Sequence, residues 1–172
     1  MLYVAGFAND SIVDGPGIRF TVFFQGCPHH CPGCQNPETW AFEGGTPFTP
    51  EDLLQMARRN PLVHGVTLSG GEPFAQAEEM IPFVRLLRQN GYEVASYTGY
   101  TFEELVHGTP AQQELLSLLD TIVDGRFLQD QLTLELRFRG SRNQRILNVA
   151  NSLAAQAPVW EQGERWIGDE VH

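Results

Sequence analysis

Ile18-Arg19-Phe20-Thr21-Val22-Phe23-Phe24-Gln25, followed at once by Gly26-Cys27-Pro28-His29-His30-Cys31-Pro32-Gly33-Cys34, is the stretch from which the rest of the chain can be read. Its first half is apolar, β-branched and aromatic, the composition of a strand. Its second half carries Pro28, Pro32 and Gly33, which exclude helix and force turns. A strand thus delivers its carboxyl end straight into a loop of three thiols. These are the only cysteines in the 172 residues, so none is left over to form a disulfide elsewhere.

Three thiolates on one tight loop are one short of the four that usually hold an iron-sulfur cluster. One iron of a four-iron cube would then lack a protein ligand and could take a small molecule. Three and two intervening residues let the loop curl around a single cube through Cys27, Cys31 and Cys34. A structural zinc site is the competing reading, with His29 or His30 as a fourth ligand. Against it, no second Cys or His pair with such spacing occurs downstream, and His64, His107 and His172 stand alone.

Past the loop, Thr49-Pro50-Glu51-Asp52 reads as a helix start, with a capping threonine, proline at the first position and acids in the first turn. Residues 63–68 form a short strand that ends in Ser69-Gly70-Gly71-Glu72-Pro73. Residues 75–89 then carry Met80, Phe83, Val84 and Leu87 at helical spacing, and Asn90-Gly91 ends that helix. A strand over 93–98, helices over 102–106 and 112–119, and a strand over 121–123 follow. Strand and helix alternate, which predicts a parallel sheet with helical crossovers whose functional loops gather at the carboxyl ends of the strands. The amino-terminal residues are expected to be polar turns at Asn9-Asp10 and Asp14-Gly15-Pro16-Gly17. Residues 150–172 show weak apolar periodicity, with Trp160 and Trp166 as possible anchors of a loosely packed tail.

With 42% hydrophobic and 19% charged residues, the chain has the make-up of a one-domain globular protein. Its formal charge of −10 opposes nonspecific binding to nucleic acid. No run reaches the length of a membrane span, and the amino terminus lacks a leader pattern. The expected location is the cytoplasm, where thiols stay reduced. Lysine is absent, so Schiff-base chemistry on lysine is excluded and any cationic contact falls to arginine.

The Cys-x3-Cys-x2-Cys loop resembles the signature of the radical S-adenosylmethionine (SAM) superfamily, and 69–73 resembles its glycine-rich SAM motif. The resemblance narrows to the activating enzymes of anaerobic (class III) ribonucleoside-triphosphate reductase. Val13-Asp-Gly-Pro-Gly-Ile-Arg19, the cysteine loop with Asn36 and Thr39-Trp40, Leu68-Ser-Gly-Gly-Glu-Pro73, Tyr97-Thr-Gly-Tyr100, Val123-Asp-Gly-Arg-Phe127 and Arg139-Gly-Ser-Arg-Asn-Gln-Arg145 carry it. It spans about residues 4–149, taken as the activase domain 1–149, and leaves 150–172 as a tail of unknown role.

That resemblance implies an incomplete (β/α) barrel with about five or six parallel strands. It implies a [4Fe-4S] cluster on Cys27, Cys31 and Cys34, with SAM chelating the open iron. Gly70, Gly71 and Glu72 would orient the methionine part, Gly33 and Gln35 would offer backbone contacts, and Asp124 with Arg126 would assist. Gly33 stands where many radical SAM loops have an aromatic residue, and Arg126 where related activases can have lysine. The implied activity is reductive cleavage of SAM, yielding a glycyl radical on the large subunit of the reductase, with reduced flavodoxin or a similar donor supplying the electron. Pyruvate formate-lyase activation shares several of these motifs, and a noncatalytic zinc or electron-transfer module is the alternative of another class. Arg137, Arg139, Arg142 and Arg145 are expected to mark an acidic partner surface or a carboxylate site.

Overall fold

A computed structural model of the chain describes residues 1–168; the last residues of the tail, 169–172 with His172, lie outside the described residues. Seven strands form one mixed sheet: β1 (Leu2–Ser11), β2 (Arg19–Phe24), β3 (Thr46–Phe48), β4 (Gly65–Gly70), β5 (Glu93–Tyr97), β6 (Thr121–Asp124) and β7 (Arg145–Asn148). Their order across the sheet is β3-β1-β2-β4-β5-β6-β7. The four middle strands β2, β4, β5 and β6 are parallel, as the alternation predicts. β1, β3 and β7 run antiparallel to their neighbours. Four parallel strands are therefore found where about five or six were expected, and the sheet is not closed.

The helices are α1 (Pro50–Arg58), α2 (Ala77–Gln89), α3 (Phe102–Val106), α4 (Pro110–Leu118), α5 (Val149–Ala155) and α6 (Glu164–Ile167). Thr49 caps α1 as expected, accepting from Asp52 N–H while the Asp52 carboxylate accepts from Thr49 N–H. Thr101 with Glu104 and Thr109 with Gln112 repeat this box on α3 and α4. Alternate β2 side chains, Phe20, Val22 and Phe24, join Leu68, Ile122, Met80, Phe83 and Leu87 in the main core beneath the helices. Each such side chain contributes about 1.5–3 kcal/mol by leaving water.

Successive strand residues face opposite ways, so Arg19, Thr21 and Phe23 belong to the other face of the sheet. A smaller apolar cluster of Ala95, Val123, Ile146, Trp166 and Ile167 forms there. The tail expected to pack loosely instead places Trp166 at 3% exposure within that cluster. Chain segment 159–161 also lies along β7, with Asn148 N–H donating to Val159 O (2.9 Å) and Glu161 N–H to Ile146 O (2.9 Å). Asn9 and Asp10, expected in a turn, extend β1 instead, at an irregularity between Ala8 opposite Thr21 and Ser11 opposite Arg19, whose pairing with β2 carries the strand through them.

Candidate functional site

β2 and β4 are parallel neighbours with Phe24 opposite Gly70, so the cysteine loop and the glycine loop leave the sheet side by side. Backbone bonds fasten the two. Gly71 N–H donates to Phe24 O (2.9 Å) and Glu72 N–H to Gly26 O (2.8 Å), while Gly26 N–H and Cys27 N–H donate to Thr39 O (2.7 Å) and Trp40 O (3.1 Å). Such closeness requires glycine. Gly70 has φ +91°, and a Cβ there would lie 2.3 Å from Phe24 N; at Gly71 it would lie 2.4 Å from Gly26 O.

Above these loops opens a cavity of about 670 Å³, within the range of small-molecule sites. Cys27, Cys31, Cys34, Gln35, Gly70 and Gly71 line it, together with Tyr97, Thr98 and several residues of segment 133–140. All three thiols are free, Cys27 buried and the other two half-buried. Asn36 N–H donates to Cys34 Sγ at 3.4 Å, and Cys34 N–H closes the turn on Cys31 O at 3.0 Å. Burial pushes the Cys27 and Cys31 thiols above the ordinary cysteine value, so a metal that binds there must displace their protons. Three soft donors on one loop, facing one cavity beside exposed backbone, fit a cluster with one iron left for a second ligand.

The histidines that would complete a zinc site are engaged otherwise. His30 stacks on Trp40, with ring centroids 4.7 Å apart and planes 7° from parallel. His29 Nε2 lies 2.7 Å from Glu72 Oε1, and its Nδ1 lies 3.2 Å from Arg126 Nε. Since Arg126 can only donate, Nδ1 is the acceptor, and the proton on Nε2 is donated to Glu72.

Glu72 is fully buried, and its carboxylate gathers the site together. Beyond His29 it accepts from Gly99 N–H (2.7 Å), Phe74 N–H (3.0 Å) and the Thr98 hydroxyl, which reaches both oxygens at 3.0 and 2.9 Å. The glycine loop, the cysteine loop and the end of β5 are thereby tied at one point. Charge-assisted bonds of this kind are the strong ones.

Cys27, Cys31, Cys34, Gln35, Gly70 and Gly71 are thus brought to one cavity, with Glu72 bracing it from behind. Gly33 sits on the outer turn at φ +75°, where a Cβ would meet the Gln129 side chain at 2.8 Å. Asp124 and Arg126 line a neighbouring, smaller cavity with Glu103 and Arg145. There Asp124, 1% exposed, accepts from Phe102 N–H (2.7 Å) and from Arg145 Nε and Nη2 (3.0 and 2.5 Å). Those two carboxylates and their hydrogen bonds raise the Arg145 pKa, working against the cost of burial. Arg126 is exposed and reaches the main site through His29. The four arginines expected on one surface divide: Arg137 and Arg139 line the main cavity, Arg145 joins Asp124, and Arg142 is exposed. Sequence reasoning weighed His29 only as a zinc ligand and missed its bond to Glu72. It missed the Thr98 hydroxyl, for which the placement of Tyr97-Thr98-Gly99 at a strand end was the one signal, and foresaw of the 133–140 wall only Arg137 and Arg139.

A family model described as a 4Fe-4S single cluster domain matches residues 13–147. A Salmonella typhi protein named anaerobic ribonucleoside-triphosphate reductase-activating protein is 38% identical over 141 residues, 77% of this chain and 90% of that one. A Haemophilus influenzae protein of the same name is 34% identical over 156 residues, covering 85% and 97%. One from Enterobacteria phage T4, also so named, is 35% identical over 140 residues, covering 78% and 86%. The solved structure of QueE from Escherichia coli superposes with a TM-score of 0.47 at 21% identity over 58% of this chain and 53% of that one, and this partial likeness adds nothing to the assignment.

Proposed function

The chain belongs to the family of anaerobic ribonucleoside-triphosphate reductase-activating proteins, and from that premise we propose that it installs a glycyl radical on that reductase by reductive cleavage of SAM. The observation that carries the reading is the meeting of the three-thiol loop and the glycine loop around one cavity at the carboxyl ends of parallel strands. When bound, a [4Fe-4S] cluster supplies the electron that splits SAM into methionine and a 5′-deoxyadenosyl radical, which takes a hydrogen from a glycine of the reductase.

The chain's own residues hold and orient. Cys27, Cys31 and Cys34 would hold the cluster through three thiolates, one fewer than its irons, so that SAM could take the remaining iron. Gly70 and Gly71 let backbone groups approach the methionine part, and Glu72 fixes those loops relative to each other. Gln35 lines the cavity beside them, and the Gly33 turn sets the spacing of the last two thiols. Asp124 and Arg126 assist from the adjacent cavity, Arg126 by way of His29. Holding the reacting groups together in this way is what accelerates the step. We assign this chemistry to residues 1–149 and read the open sheet as a short form of the incomplete (β/α) barrel, since the cavity lies at the carboxyl ends of its parallel strands. The electron would come from reduced flavodoxin or a similar donor, in the cytoplasm, where thiols stay reduced. Among the described residues no helix is long and apolar enough to cross a membrane.

The test is anaerobic. Reconstituted protein, SAM, a strong reductant and the reductase should give 5′-deoxyadenosine and a glycyl radical signal on the reductase, and Cys31→Ala should give neither. Wild-type protein with full iron that forms no 5′-deoxyadenosine defeats the proposal. A radical found only when pyruvate formate-lyase replaces the reductase transfers the activity to that partner.

A further inference from the structure

The tail lies beyond the family match, which ends at residue 147, yet it is built into the site. Segment 133–140 forms part of the wall of the cavity that the cysteines line, contributing Leu136, Arg137, Phe138 and Arg139 among others. That wall has no helix or strand of its own, and Phe138 has φ +60°, a strained conformation for a residue with a side chain. Something must hold it.

From the sheet, the Tyr97 hydroxyl donates to Phe138 O at 2.8 Å. At the ends of the segment Thr133 N–H donates to Gly140 O (3.1 Å), Gly140 N–H to Gln144 Oε1 (2.8 Å) and Arg139 Nη1 to Gln144 O (3.3 Å), and further fastenings come from the tail. The Phe138 ring meets Trp166 edge-on, with centroids 5.5 Å apart, Arg137 Nη1 donates to Glu164 O at 2.9 Å, and the Arg139 guanidinium lies 5.3 Å from the Trp160 ring centroid. Trp166 is in turn locked by the fully buried Arg19, whose guanidinium lies 5.6 Å from its ring centroid. Arg165 pairs with Glu93 at 2.9 and 3.0 Å, and Glu93 also binds Arg19 at 3.1 Å. A continuous set of contacts therefore runs from the far end of the sheet, through α6, to the cavity wall.

We propose that the tail is a positioning element of the SAM site, in which Trp166 holds the 133–140 wall at the distance the bound molecule requires. This rests on the reading that the cavity takes SAM. Trp166 touches no reacting group and acts through Phe138.

Trp166→Ala and Trp166→Phe test it, since phenylalanine preserves an aromatic edge for Phe138. In cluster-loaded protein, Trp166→Ala should raise the KM for SAM on the order of tenfold with kcat for 5′-deoxyadenosine less affected, and Trp166→Phe should restore most of the loss. Amide hydrogen exchange on cluster-free protein should show faster exchange at 133–140 in Trp166→Ala, with the amides of β4 and β5 unchanged. Wild-type KM and wild-type exchange at 133–140 in the alanine variant overturn the proposal. If Trp166→Ala loosens the whole sheet, Trp166→Leu decides: a raised KM supports the proposal and an unchanged KM overturns it. Wild-type protein that binds no SAM refutes the assignment of the cavity itself, a separate failure.

Discussion

Replacing Glu72 by glutamine keeps the shape of the side chain and removes only its capacity to accept at both ends. In the wild type one oxygen faces His29 Nε2 and Gly99 N–H, the other faces Phe74 N–H, and the Thr98 hydroxyl reaches both. A glutamine must turn its NH2 toward one of these sides. Whichever way it turns, a donor confronts a backbone N–H at a position with no access to water. Hydrogen bonds to a charged group contribute about 1.5–3 kcal/mol each, and an orphaned buried donor costs about 1–3 kcal/mol. One such orphan plus the weakening of the remaining bonds gives a destabilisation of about 3 kcal/mol, which for a chain of this size lowers Tm by roughly 6–12 °C. The measurement is anaerobic thermal and chemical unfolding of cluster-free protein, so that binding of iron or SAM plays no part. Glu72→Gln that melts with the wild type would show that the carboxylate does not tie these loops together, and the bracing role given to Glu72 would have to be withdrawn.

Cys31→Ala should fold with nearly wild-type stability, because Cys31 is only half-buried on a surface loop, yet retain little of the roughly four irons a full cube holds; iron analysis after reconstitution decides, and a fully loaded variant contradicts the ligand assignment. Gly71→Ala drives a Cβ into Gly26 O, a backbone atom that cannot move aside cheaply, so stability should fall by about 1–3 kcal/mol as for an overpacked core, and cluster yield should fall with it; equal yield and stability would mean that the loops are not so closely apposed. Burial works toward protonating Glu93, but hydrogen bonding from Arg165 and the charge of Arg19 outweigh it and hold the carboxyl below its ordinary value. A depressed carboxyl adds stability above its unfolded pKa and forfeits it as the pH falls through the folded one. Glu93→Gln should therefore lose stability less steeply than wild type between about pH 5 and pH 3, and parallel pH profiles would argue against this pairing.

Much of the centre of the fold was legible because its signals are local. Threonine, proline and acid at 49–52 mark the start of α1, and the apolar runs before Cys27 and Ser69 mark β2 and β4, all within a few residues of where they are found. The outer strands were not legible. β3 contains Pro47, which argues against a strand, and β7 is four residues long, paired with β6 at positions 121–124 more than twenty residues earlier. The four strands marked by local pattern are the four parallel ones, and the count of five or six came from the family resemblance instead. The cysteines and glycines of the site could be found from spacing alone. The His29 link to Glu72 spans 43 residues, and the burial of Trp166 depends on Arg19 at the other end of the chain; neither leaves a periodic trace.

The flanks of the sheet restrict how this protein can meet others. On one side the outermost strand has three residues, one of them a proline without an N–H to give. On the other, residues 159–161 already occupy hydrogen-bonding positions along the last strand. The three-residue strand covers only Leu2–Val4 of the ten-residue β1, so the β1 backbone beyond Val4 keeps an outer edge, whereas the β7 margin is occupied. A strand added from outside would thus meet β1 beyond Val4 and not β7, so that backbone pairing with another chain is confined to one margin of the sheet.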